Sequence, residues 1–167
     1  MKLQVLIACA AILCGCDDQR ILRLRALGAE DHGVEGVELQ RSGNDCGAAC
    51  LAMVCRDTGT RMSAEEIGRA MKWTEGGVSL LELKRTAEHL GYRAVGWRCD
   101  LSQLRHVRCP AILFIEGDHF VVMDSVAPDQ SIFLRDPAIG RICLKARRLS
   151  CIWKGEVLEV ERDSAAR

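Results

Sequence analysis

The stretch Gln40-Arg41-Ser42-Gly43-Asn44-Asp45-Cys46-Gly47-Ala48-Ala49-Cys50-Leu51 holds the residues best suited to chemistry. Asp45 reads as the cap of a helix that opens at Cys46. The thiol then meets unpaired backbone N–H groups and the positive end of the helix dipole, and both favour thiolate, the nucleophilic form. Gly47 reads as room for a substrate backbone to approach. Gln40, on the incoming loop, can curl its amide back toward the sulfur and donate to an oxyanion together with the Cys46 N–H. Such a nucleophile needs a base. His119 opens the apolar strand His119-Phe120-Val121-Val122, a rigid mount for an imidazole. Asp136 ends the next strand, Ile132-Phe133-Leu134-Arg135-Asp136. In a hairpin the start of one strand faces the end of its neighbour, so Asp136 can reach His119 and fix its tautomer. Asp118 and Asp124 compete for that role, although neither lies on the neighbouring strand.

Each piece alone has a plainer reading. A free cysteine is often a small buried hydrophobe, a histidine beside Phe and Val is often a satisfied core residue, and Asp-Pro usually marks a turn. Cys50, one helical turn beyond Cys46, reads as packing or as a resolving thiol. On these residues alone the plainer readings stand beside nucleophilic catalysis.

The elements that must carry these side chains are legible in outline. Apolar residues at Ala49, Leu51, Ala52, Val54 and Cys55 give a helix from Cys46 to about Asp57. Ser63-Ala64-Glu65-Glu66 is a capping box opening a second helix to about Lys72. Ser79-Leu80-Leu81-Glu82 opens a third, to Leu90, stopped by Gly91. Asp100 to Arg105 reads as a helical turn. The period then changes: 111–115, 119–126, 131–135, 141–144 and 153–160 read as strands separated by Gly, Asp and Pro. Helices first and antiparallel strands after is an α+β order.

Here the chain resembles a family. Gln40, then Asp45-Cys46-Gly47 with Cys50-Leu51, then His119-Phe120-Val121-Val122, then Asp136-Pro137-Ala138-Ile139-Gly140 are similar to the double-glycine-leader cysteine peptidases. These occur as the N-terminal domain of bacteriocin-exporting ABC transporters. Gly77-Val78-Ser79-Leu80-Leu81-Glu82-Leu83 and Leu90-Gly91-Tyr92 match the family's second helical region. The resemblance spans about residues 37 to 160. It implies a papain-like fold, N-terminal helices packed on a C-terminal antiparallel sheet. It further implies Cys46 as nucleophile, His119 as base, Asp136 as its orienter and Gln40 as the oxyanion residue. The implied activity is hydrolysis after paired small residues of the Gly-Gly type, in a peptide or protein substrate. The implied member is stand-alone, with a separate exporter as a candidate partner. The alternative is a peptide-binding module of the same fold that does not cut.

The chain begins Met-Lys-Leu-Gln-Val-Leu-Ile-Ala-Cys-Ala-Ala-Ile-Leu-Cys-Gly-Cys. Its apolar run is shorter than the roughly 20 residues a spanning helix needs. Leu13-Cys14-Gly15-Cys16 resembles a bacterial lipobox, which makes Cys16 a lipidation site. The expected organisation is therefore a lipoprotein signal segment at 1–16, a tether at 17–35, a cysteine peptidase domain at 36–162 and a frayed tail at 163–167. The protein would be exported and membrane-anchored through lipid, facing the periplasm in a Gram-negative cell.

Composition narrows the alternatives. Lys plus Arg and Asp plus Glu are 23 each, so no basic excess argues for nucleic acid. The 10 cysteines raise the question of a redox or metal protein. Neither a Cys-x-x-Cys motif nor paired ligand spacing with a nearby histidine is present, so no cofactor or metal is expected. In an oxidising compartment at most two disulfides are expected, among Cys99, Cys109, Cys143 and Cys151.

Overall fold

The computed structural model describes residues 16–162. Helix α1 spans Cys16–Ala26, α2 Cys46–Asp57, α3 Ala64–Arg69, α4 Leu80–His89 and α5 Ala146–Leu149. The strands are β1 Glu30–Asp31, β2 Tyr92–Arg98, β3 Ala111–Ile115, β4 His119–Val126, β5 Ser131–Asp136, β6 Gly140–Lys145 and β7 Trp153–Arg162. They form one antiparallel sheet in the order β1-β6-β5-β4-β3-β7-β2. Helices packed on an antiparallel sheet give the α+β architecture expected from the sequence.

Strand pleating splits the apolar residues between two faces. On one face Ile112, Phe120, Val122 and Leu158 meet α2, α3 and α4. On the other, Leu113, Val121, Met123 and Val157 meet Leu24 of α1, Leu104 and Leu149. Every residue of α2 from Cys46 to Cys55 is buried. A helix apolar all round belongs in the core, and its small residues let neighbours come close. Gly47 illustrates this and corrects its sequence reading. A Cβ there would lie 2.7 Å from Val78 Cγ2 and 3.1 Å from Leu83 Cδ2. The glycine therefore admits α4, not a substrate.

The capping signals act as expected in part. Ser63 and Glu66 form the reciprocal capping box of α3. Ser79 caps α4 by accepting from the Glu82 N–H, but Glu82 turns its carboxylate to the Lys72 N–H, 2.9 Å away. Gly91 takes the left-handed stop, with φ +84°.

Residues 17–35, read from their charge as a tether, carry regular secondary structure. They form α1 and β1, and β1 pairs with β6 at the sheet edge. Leu24 is 1% exposed, and burial of one leucine is worth about 2 kcal/mol. Strand β2 was also unread in the sequence; its seven residues are held by β7, across a separation that local pattern does not reveal. The signal segment and the frayed tail lie outside the described residues, apart from Cys16, which opens α1. No helix among the described residues is long and apolar enough to cross a membrane.

Candidate active site

Cys46 is the first residue of α2, as the sequence implies. Asp45 precedes it but does not cap the helix. Its carboxylate accepts instead from the backbone N–H groups of Arg41 (3.0 Å) and Ser42 (3.1 Å). These two bonds fold the incoming loop back on itself. The far side of the loop is fixed too, because the Gln40 N–H donates to the Pro137 carbonyl at 2.8 Å. Gln40 thus sits beside the turn that follows Asp136, on a loop tied to the residue before Cys46. Its side-chain Oε1 is buried and makes no hydrogen bond.

His119 and Asp136 form the buried core of the site. The imidazole Nε2 lies 2.8 Å from Asp136 Oδ1, and the two side chains are 2% and 0% exposed. Asp136 Oδ1 also accepts from the Ala138 N–H at 2.8 Å, which fixes the carboxylate. The second oxygen, Oδ2, is buried without a partner. With Nε2–H given to the carboxylate, Nδ1 is the nitrogen left for the thiol, and Cys46 is near enough to favour the charged imidazole. Burial works against charge on His119, but Asp136 and Cys46 outweigh it and lift the imidazole to about 9. The arrangement therefore favours imidazolium next to sulfur at neutral pH.

The competing orienters are engaged elsewhere. Asp124 accepts from Arg135 Nε at 2.8 Å, and Asp118 is exposed and pairs with Arg20 at 3.5 Å. Arg135 is a residue that the sequence reading missed, although a charge inside the run Ile132-Phe133-Leu134-Arg135 was a visible signal. It is 4% exposed. It joins Asp57 at the end of α2, Asp124 on β4 and the Gly36 carbonyl, 3.4 Å away, on the loop leading to Gln40. Cys50 is fully buried, and burial, followed by the charges at Cys46 and Asp136, pushes its thiol well up. That favours packing over a resolving role. The seven cysteines from Cys46 to Cys151 are all free thiols, including Cys99, Cys109, Cys143 and Cys151. Among the described residues no group of three or more His, Cys, Asp or Glu side chains could hold a metal ion.

An open groove of about 470 Å³ runs from Asp45 past Leu39 and Arg41 to Met71 and Trp73. Leu39 and Trp73 are exposed hydrophobics, 47% and 43% accessible. Beside Cys46, the Thr74–Gly77 turn closes against the loop: a Cβ on Gly77 would lie 3.5 Å from the Asn44 carbonyl.

A cysteine at a helix N-terminus, facing a histidine and an aspartate carried on an antiparallel sheet, defines the papain-like class of fold. The likeness extends to solved structures. A double-glycine-motif protease from an AMS/PCAT transporter, in complex with its leader peptide, superposes with a TM-score of 0.71. The match covers 80% of this chain and 100% of that one, at 23% identity. Residues 35–165 match the peptidase C39 family. An uncharacterized protein of Methanothermobacter marburgensis is 36% identical over 131 residues, 78% of this chain and 92% of that protein. The chain belongs to the peptidase C39 family. A probable microcin-H47 secretion/processing ATP-binding protein, MchF of Escherichia coli, is 34% identical over 70% of this chain, which spans 16% of the larger protein.

Proposed function

We propose that the protein is a cysteine endopeptidase that cleaves after paired small residues of the Gly-Gly type. The observation that carries this reading is the buried His119–Asp136 pair at 2.8 Å with Cys46 as its third member. Cys46 attacks the scissile carbonyl as thiolate. The oxyanion is met by the Cys46 N–H and the Gln40 side-chain amide. His119 gives its proton to the leaving amine and then takes one from the water that hydrolyses the thioester. Asp136 holds the imidazole in the tautomer that leaves Nδ1 for sulfur. The Thr74–Gly77 turn, which packs on Asn44 two residues before Cys46, supports a steric limit on side chains next to the scissile bond. The Leu39–Trp73 groove suits apolar side chains further along the peptide.

The test is steady-state cleavage of a fluorogenic Gly-Gly peptide by the reduced full chain. Cys46→Ala should abolish cleavage with the fold intact, and His119→Ala should be nearly as severe. Replacing the glycine before the scissile bond by leucine should block cleavage. Activity retained in Cys46→Ala removes the mechanism. No cleavage by wild type across a broad Gly-Gly library leaves a peptide-binding module of the same fold.

Location is part of the proposal. Leu13-Cys14-Gly15-Cys16 supports an exported protein lipidated on Cys16, which would put α1 directly after the anchor. Wild-type protein should take up radiolabelled fatty acid and Cys16→Ala should not; absence of label from wild type overturns the lipoprotein reading.

A further inference from the structure

Helix α1 lies outside residues 35–165, the part of the chain that matches the peptidase family. It nevertheless touches the segment that carries His119. The turn Glu116-Gly117-Asp118 joins β3 to β4, and Ile115 pairs with His119 across its base. Arg20 of α1 donates to Glu116 Oε2 at 2.8 Å and lies 3.5 Å from Asp118 Oδ1. Arg23, one turn along, lies 3.1 Å from Glu116 Oε1. Solvent screens the Arg20–Glu116 pair weakly, since its side chains are 13% and 7% exposed. Leu24 anchors the same helix in the apolar layer that contains Leu113 and Ile115 of β3.

Glu116 is also an unusual residue for its backbone. Its φ is +58°, in the left-handed region that glycine and asparagine occupy at least cost. A glutamate there carries a conformational cost relative to an ordinary position. Such a conformation persists only where the surroundings over-determine it. Here the side chain supplies the reason, because it takes two guanidinium groups from α1. The Glu116 N–H is separately held by the Ile152 carbonyl at 2.6 Å, so the turn has a second support that does not involve α1.

We infer that Arg20 and Glu116 are positioning residues for His119, and that α1 is a working part of the site, clamping the β3–β4 turn so that the imidazole stays between Cys46 and Asp136. The inference rests on the proposed peptidase reading for its turnover assay but not for its second measurement. His119 faces Cys46 from α2 and Asp136 from β5, while Asp118 turns away to Arg20. A looser turn lets the ring leave the thiol while Asp136 stays fixed by Ala138. Neither Arg20 nor Glu116 lines the Leu39–Trp73 groove, so the effect should fall on turnover and not on binding.

The experiment uses the full chain and three variants. Glu116→Gly removes the carboxylate but suits the left-handed backbone, so the turn should still form. Arg20→Ala removes the other partner, and Arg20→Lys keeps the charge. On the Gly-Gly peptide, Glu116→Gly and Arg20→Ala should lower kcat roughly ten- to hundredfold, the scale of a misplaced catalytic group, with KM nearly unchanged. Arg20→Lys should stay much closer to wild type. The second measurement needs no substrate: iodoacetamide labelling of Cys46, read by mass spectrometry of its peptide, at pH 6 and pH 10. His119, charged at pH 6 and neutral at pH 10, supports the reactivity of the neighbouring sulfur only at the lower pH, so the pH 6 to pH 10 ratio should fall about tenfold in Glu116→Gly and Arg20→Ala. A helix with only a structural role would lower the melting temperature and leave that ratio unchanged. An unchanged ratio in both variants overturns the inference, as does Arg20→Lys behaving like Arg20→Ala. If wild type cleaves no Gly-Gly peptide, the proposed function fails, and the labelling ratio still decides the clamp.

Discussion

Replacing Asp136 by asparagine isolates the charge of the buried pair. The change is close to isosteric, and the asparagine oxygen can still accept from His119 Nε2–H and from the Ala138 N–H. The new NH2 takes the place of Oδ2, which makes no hydrogen bond. What goes is the negative charge that, with Cys46, lifts the imidazole from 6.5 to about 9 against burial. At pH 8 an imidazole of pKa about 9 is about nine-tenths protonated, whereas one returned to 6.5 is about 3% protonated. The variant should therefore lose up to roughly thirtyfold in kcat/KM at pH 8 but less than about twofold at pH 6. The assay is the pH profile of Gly-Gly peptide cleavage, whose alkaline limb should move down toward neutrality in the variant. An alkaline limb that stays near 9 in Asp136→Asn would refute the assignment of Asp136 as the group that holds the imidazolium. An equal loss at pH 6 and pH 8 would refute it as well, since that pattern belongs to lost geometry and not to lost charge.

The same pair should make stability depend on pH. A histidine raised from 6.5 to about 9 contributes fully below pH 6.5 and loses that contribution as pH rises through 9, up to about 3 kcal/mol. Urea midpoints at pH 6.5 and 9.5 should show the decline, and Asp136→Asn should flatten it. Gly47→Ala should destabilise by roughly 1–3 kcal/mol, because its Cβ would press on Val78 and Leu83 in a packed core; thermal unfolding measures this, and a neutral result would mean that α4 shifts freely. Gln40→Ala should cost roughly 10²–10³ in kcat, the usual loss for one oxyanion donor, with the melting temperature little changed.

The comparison of sequence and structure divides along the range of the forces involved. Helices α2, α3 and α4 and strands β3 to β6 were legible because their signals are local: a capping residue, a 3.6-residue apolar period, or an alternating run bounded by turn residues. The residues gathered at the site were legible for a related reason. A thiol at a helix start, and an imidazole and a carboxylate at facing ends of adjacent strands, are positions that local elements suggest, with Asp118 and Asp124 still competing for His119. Asp45 was misread as a cap because its side chain had two local sets of backbone donors, and the loop won. Gly47 was misread because its neighbours, Val78 just before α4 and Leu83 within it, are more than thirty residues away. Residues 17–35 read as a tether because Arg20 and Arg23 look solvated on their own; only the buried Glu116 at a distant turn gives them a partner. The sequence by itself thus determined the local elements and the residue types that the site contains. The tertiary structure decided which face each element covers, that Asp136 and not Asp118 or Asp124 meets His119, and that α1 belongs to the fold. Those outcomes depend on long-range packing and on charge pairs that form only once burial has removed the competing water.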